Sequence, residues 1–108
     1  SFLRYVLEGE EYRVTVAASL AEARAALKNE GLPNAMLLAR KLPDGDGIEL
    51  CRELKGTGER RPAVLFISAR KEASEVREGL EAGADDYVAK PFEFTDVLSR
   101  LRGLLGII

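Results

Sequence analysis

Histidine is absent from all 108 residues, which excludes a Ser/His or Cys/His catalytic pair and any histidine-bound metal. Cysteine occurs once, at Cys51, too few for an internal disulfide, so a cytoplasmic address is the expectation. An excess of positive charge is also lacking. Sixteen Lys and Arg against eighteen Asp and Glu leave a net charge of −2, which argues against broad binding to nucleic acid or anionic membranes. No apolar run approaches the roughly 18 residues needed to span a bilayer. Residues 1–10 alternate apolar with charged side chains and do not read as a signal peptide. No nucleophile–base pair can be named, so an enzyme is not expected. What remains is 46% apolar and 31% charged, the balance of an ordinary globular protein. The length suits one domain, residues 1–108, with a real core but little stability to spare.

Helix-period and strand-period segments alternate along the chain, the signature of a sheet layered between helices. Phe2, Leu3, Val6 and Leu7 share a helical face that Gly9 is placed to end. Tyr12, Val14 and Val16 alternate with Arg13 and Thr15, so residues 12–16 read as a strand. Ser19 opens a second helix, Glu22 completes its capping box, Leu20, Ala23 and Leu27 form its buried stripe, and Gly31 stops it. Residues 34–39 form a short apolar run expected to be a strand buried on both faces. Residues 42–47, Leu-Pro-Asp-Gly-Asp-Gly, are dense in turn formers and read as a loop. Ile48, Leu50, Cys51 and Leu54 give a helix that breaks at Gly56 and Gly58. Residues 63–68, Ala-Val-Leu-Phe-Ile-Ser, are the clearest strand. A helix carrying Ala73, Val76 and Leu80 and closed by Gly83 follows, then a short strand over residues 86–89. Lys90-Pro91 turns the chain, and Val97, Leu98, Leu101, Leu105 and Ile108 line a last helix. The order opens on a helix, which has no preceding strand to return from.

Four stretches together resemble the receiver domains of two-component response regulators. They are Leu42-Pro43-Asp44-Gly45-Asp46-Gly47, Ile67-Ser68-Ala69-Arg70, the run from Gly79 through Ala84-Asp85-Asp86 to Tyr87, and Lys90-Pro91-Phe92. Each alone is a weak signal; in this order, spacing and placement at strand ends they are specific, and the resemblance covers essentially the whole chain. It implies a flavodoxin-like (CheY-like), doubly wound parallel sheet in three α/β/α layers, with strand order 2-1-3-4-5. In that family an acidic pair after the first strand holds Mg²⁺, and an aspartate ending the third strand accepts the phosphoryl group. A Ser or Thr ending the fourth strand and a Lys ending the fifth grip the phosphate, because transfer is mostly positioning and charge neutralisation.

Carried over residue by residue, the acceptor position three before Leu42 is Ala39, whose methyl group cannot accept a phosphoryl group. Ser68 matches the hydroxyl position, Lys90 the phosphate-gripping lysine, whose bond to Pro91 is cis in the family, and Tyr87 the aromatic rotamer switch. The first, central strand and its acidic pair have no counterpart, so no Mg²⁺ site, metal or other cofactor is expected in this chain. Three explanations for the missing strand stay open: a truncated piece of a longer protein, a strand supplied by another copy, or direct pairing of the second and third strands.

Plainer roles stand beside these. Ser68 suits a strand end, Tyr87 a packing aromatic, and Cys51 a core position. Asp44 and Asp46 lack the spacing of a calcium loop and read as turn and helix-capping residues. Arg60-Arg61 reads as a solvated charge pair. Arg40, Lys41, Arg70, Lys71 and Lys90 all follow strand ends on one edge of the sheet, where they either point to solvent or form a basic crevice for an anion. The expected function is a receiver-like module independent of phosphorylation, a pseudo-receiver acting through protein–protein contact. The family commonly pairs through the face made by its last two helices and the strand between them, here residues 73–105. A homodimer or strand-swapped oligomer is a possible assembly. An anion- or nucleotide-responsive switch, or a phosphorelay receiver inactivated by substitution or truncation, are the alternatives.

Overall fold

The computed structural model describes residues 2–56 and 61–106; Gly58, Arg60, Ile108 and the side chain of Phe2, all named above, lie outside the description. Ten elements follow in order: α1 (Phe2–Gly9), α2 (Leu20–Glu30), β1 (Ala35–Leu38), β2 (Lys41–Leu42), β3 (Gly45–Asp46), α3 (Gly47–Lys55), β4 (Ala63–Ser68), α4 (Ala73–Glu81), β5 (Asp86–Ala89) and α5 (Phe94–Leu105). The strands β1, β4 and β5 form one parallel sheet in that order, the arrangement expected of strands joined by helical crossovers.

Alternation along β4 builds the three layers. Val64 and Phe66 face one side and pack with Leu20, Leu38, Leu50, Cys51 and Leu54, so α2 and α3 cover that face. Leu65 and Ile67 face the other side and pack with Val88 and Val97, and with half-buried Leu3 and Leu104 from α1 and α5. A strand covered on both faces reads as an unbroken apolar run, which is why residues 63–68 were the clearest strand in the sequence. Cys51 is buried in this core, and burial pushes its thiol up from the ordinary range.

Several expectations are corrected. Residues 12–16 belong to no strand. A strand exists only through a partner, and no described segment pairs with them. Val16 is 56% exposed as a result. Nor do residues 12–16 pair with β1, which has β4 as its single partner and is therefore an edge; direct closure of the sheet is not what this chain does. As an edge, β1 has only Leu38 fully buried, not two covered faces. Gly9 is helical, and the turn of positive φ after α1 falls on Glu11. Leu80 is 44% exposed, and the fully buried residue of α4 is Gly79. The loop over residues 42–47 contains a two-residue antiparallel ladder between β2 and β3. Ser19 caps α2 as expected, accepting from the Glu22 N–H, while its hydroxyl meets the Glu22 carboxylate at 3.4 Å.

Candidate functional site at the carboxyl edge of the sheet

Because β1, β4 and β5 run parallel, their ends bring Ala39, Ser68 and Lys90 to one edge. In-register pairing of Ser68 with Ala89, and the bond from the Lys90 N–H to the Ser68 carbonyl at 2.8 Å, fix two of these neighbours. Ser68 is buried and its hydroxyl oxygen accepts from the Arg70 N–H at 3.0 Å, so it closes the turn that follows β4. The Lys90 side chain is exposed, and its ammonium has no partner among the described residues. The Lys90-Pro91 peptide is cis, as the resemblance implied. Ala39 is half-buried at the end of β1 and presents no side-chain oxygen.

Around Ala39 the loop is held tightly. A Cβ on Gly47 would lie 2.0 Å from the Ala39 carbonyl oxygen, and the Gly47 N–H donates to the Arg40 carbonyl at 2.8 Å. Only glycine permits that approach. Asp46 caps α3, accepting from the Ile48 N–H at 3.0 Å, and Glu49 completes the capping box. Asp44 caps a different helix: its two oxygens accept from the Leu20 and Ala21 N–H groups of α2 at 2.8 and 2.9 Å. Those two N–H bonds hold its carboxyl below the usual range. Both aspartates are capping residues, as their sequence context suggested, although for Asp44 the helix is distant in sequence.

Arg40 takes no part in a basic crevice. Its side chain is fully buried rather than directed at solvent or an anion. Its Nε and one terminal nitrogen grip Asp46 at 2.8 and 3.0 Å. It also donates to a Glu78 carboxylate oxygen at 2.6 Å and to the Glu75 carbonyl at 3.0 Å, and lies 5.8 Å from the centroid of the Phe66 ring. The Asp46 bond raises the Arg40 pKa; burial opposes this and Glu78 adds to it. Burial alone would push the Asp46 carboxyl up, yet Arg40, the Ile48 N–H and Arg70 together hold it below the ordinary range. Arg70, too, is spoken for, lying 3.4 Å from Asp46 and 3.9 Å from Glu75. Of the five cations placed at this edge, Arg40 and Arg70 are therefore neutralised within the fold.

Tyr87 is buried, its ring 5.7 Å from that of Phe66, and its hydroxyl donates to the Arg70 carbonyl at 2.5 Å. It is thus both a packing aromatic and one whose polar end reaches the loop after β4. Gly79 makes room for it, since a Cβ there would lie 2.9 Å from the ring. Ala39 supplies no oxygen from its side chain, and Asp44 and Asp46 spend theirs on helix N-termini and Arg40.

The sequence reading gave Arg40 to solvent or a crevice rather than to the interior, gave Gly79 no packing role, and did not single out Glu78. A signal existed only for Gly79, a glycine inside a helical pattern, which points to close packing.

The family model described as the response regulator receiver domain matches residues 1–102. The response regulator MprA of Mycobacterium tuberculosis is 42% identical over 103 residues, covering 95% of this chain and 44% of that protein. MprA of Mycobacterium ulcerans is 41% identical with the same coverage. The chain thus spans less than half the length of the curated relatives it matches. A response regulator from Chloroflexus aurantiacus, solved by crystallography, superposes with a TM-score of 0.87 at 35% identity, covering 97% of this chain and 86% of the other. A CheY-like receiver domain protein from Methanospirillum hungatei gives 0.84 at 30% identity, covering 96% and 82%. No helix among the described residues is long and apolar enough to cross a membrane. With the parallel sheet, the three layers and the residues at its carboxyl edge in place, the chain belongs to the response regulator receiver domain family.

Proposed function

We propose that this receiver domain is a pseudo-receiver: a cytoplasmic signalling module, not an enzyme, that works through protein contact without accepting a phosphoryl group or using a metal. The observation that carries the reading is Ala39 at the acceptor position, where attack on phosphorus needs a carboxylate oxygen. The engagement of Asp44 and Asp46 in helix caps supports it, because neither is free to take over as nucleophile or metal ligand. The surface for a signalling partner is the one formed by α4, β5 and α5. It carries exposed Leu80, and a charged trio in which Arg100 bridges Asp86 at 2.8 Å and Asp96 at 3.0 Å. Neither nucleic acid nor membrane is a direct partner in this reading. The test is intact mass after incubation with a small phosphodonor and Mg²⁺. An unchanged mass is expected; a stoichiometric phosphate adduct overturns the reading.

One observation favours a second reading. Lys90 is exposed without a partner beside the Ser68 turn, so a phosphate-bearing compound has one cation to meet there. Salt-sensitive thermal stabilisation by phosphate compounds, abolished in Lys90→Ala, would favour this anion-responsive switch.

A further inference from the structure

We infer that Arg40 is a built-in latch that holds α4, and through it the inward pose of Tyr87, in one position without any phosphate. The inference goes beyond the pseudo-receiver reading and does not depend on it, since it concerns the resting molecule.

Two independent observations carry it. First, apart from Ala82 buried at its C-cap, α4 has few apolar side chains in the core. Its fully buried residue is Gly79, Val76 is half-buried, and Leu80 is 44% exposed. A helix whose buried face amounts to this little is weakly held by packing. Second, the fully buried guanidinium of Arg40 reaches α4 at two points, the Glu75 carbonyl and the Glu78 carboxylate, while its other arm grips Asp46 at the start of α3. A planar fork with five N–H donors suits this bridging, and a lysine ammonium does not. The residue that follows Ala39 thus ties the end of β1 to both α3 and α4.

Tyr87 is the readout of that tie. With a Cβ at Gly79 only 2.9 Å from its ring, Gly79 faces Tyr87 at contact distance, so α4 is one wall of the space the ring fills. The hydroxyl is spent on the Arg70 carbonyl at 2.5 Å. While Arg40 holds α4 down, the ring stays inward; release of α4 opens that wall. The latch biases the resting α4–β5–α5 surface toward a single conformation.

The test is amide hydrogen exchange of the full chain, without phosphodonor, in three forms. Glu78→Ala removes the carboxylate contact of the α4 arm and leaves the Glu75 carbonyl bond and the grip on Asp46 in place. Glu78 is 52% exposed and alanine is the best helix former, so neither burial nor propensity confounds the result. Arg40→Lys keeps the charge but loses the fork. Expected for Glu78→Ala is exchange about tenfold faster over residues 73–82, with residues 20–30 of α2 unchanged. Tetranitromethane should then nitrate Tyr87, which the parent protects while exposed Tyr5 reacts. Arg40→Lys should fall between parent and Glu78→Ala at α4. Unchanged exchange at α4 in Glu78→Ala, or an equal acceleration in α2 and α4, overturns the latch; the first shows α4 held by other contacts, the second general loosening of the fold.

Discussion

Replacing Gly47 by alanine should damage this protein more than any other single methyl group added to a glycine near the site. The new Cβ would sit 2.0 Å from the Ala39 carbonyl oxygen and 3.1 Å from Leu38 Cγ, whereas carbon and oxygen ordinarily approach no closer than about 3.3 Å. The atom it meets is backbone at the end of β1, not the tip of a flexible side chain, so the start of α3 or the acceptor loop must move by more than about 1 Å. Such a shift also breaks the bond from the Gly47 N–H to the Arg40 carbonyl, worth about 1 kcal/mol. Overpacking a filled site adds about 1–3 kcal/mol, giving a total loss of about 3 kcal/mol. Total stability of a domain this size is only about 5–15 kcal/mol. In urea, with a slope of about 1–3 kcal/mol per M, the midpoint should drop by at least about 1 M. Gly103→Ala is the matched control. It lies inside α5 with nothing within 4 Å of the added carbon, and should stabilise by about 0.5–1 kcal/mol. A Gly47→Ala midpoint within about 0.3 M of the parent, where that same slope places a change of less than 1 kcal/mol, would refute the close-approach argument.

Other expectations follow from the same geometry. Burial pushes the Asp85 carboxyl up, but Arg61 and the Val64 N–H outweigh it and hold it low. Its contribution is therefore present above the ordinary carboxylate pKa of about 4 and lost as pH falls through the lower folded value. Asp85→Asn should cost about 1–2 kcal/mol at pH 7 in urea titrations, with the gap to parent narrowing near pH 3; a gap independent of pH would contradict this. Leu20→Ala should lose about 3 kcal/mol because Leu20 is 1% exposed, while Leu80→Ala should stay within about 0.5 kcal/mol because Leu80 is 44% exposed. The open edge of β1 should make this chain associate with rising concentration, seen by light scattering after gel filtration; a monomer at every concentration would count against an available edge.

Helices and the covered strands were legible in the sequence because their signals are local. Ser19 and Asp46 cap where they stand, and the run ending at Ser68 is apolar because both its faces are covered. What escaped was set by distant partners. The alternation of Tyr12, Val14 and Val16 is a strand pattern, but pairing depends on a neighbour that the pattern itself does not contain. Leu80 fits a helical stripe yet lies where α4 meets solvent, since Gly79 and the Tyr87 ring take the contact with the sheet. At the site, motif spacing put Ala39, Ser68 and Lys90 at the strand ends where β1, β4 and β5 close, and Tyr87 within β5. The place of Arg40 was not legible, because its burial needs Asp46 from one helix and Glu78 from another, 38 residues away, to meet around it. Asp44 likewise caps a helix that begins 24 residues earlier.

The loop beside Ala39 owes its shape to Asp44 on α2, Asp46 on α3, the glycine at 47 and the grip of Arg40, and none of these contacts uses the side chain of residue 39. The scaffold of the site is therefore mechanically independent of its acceptor. A change of side chain at position 39 leaves every strut of the loop in place, so what this position carries and how the surrounding loop is shaped can vary separately.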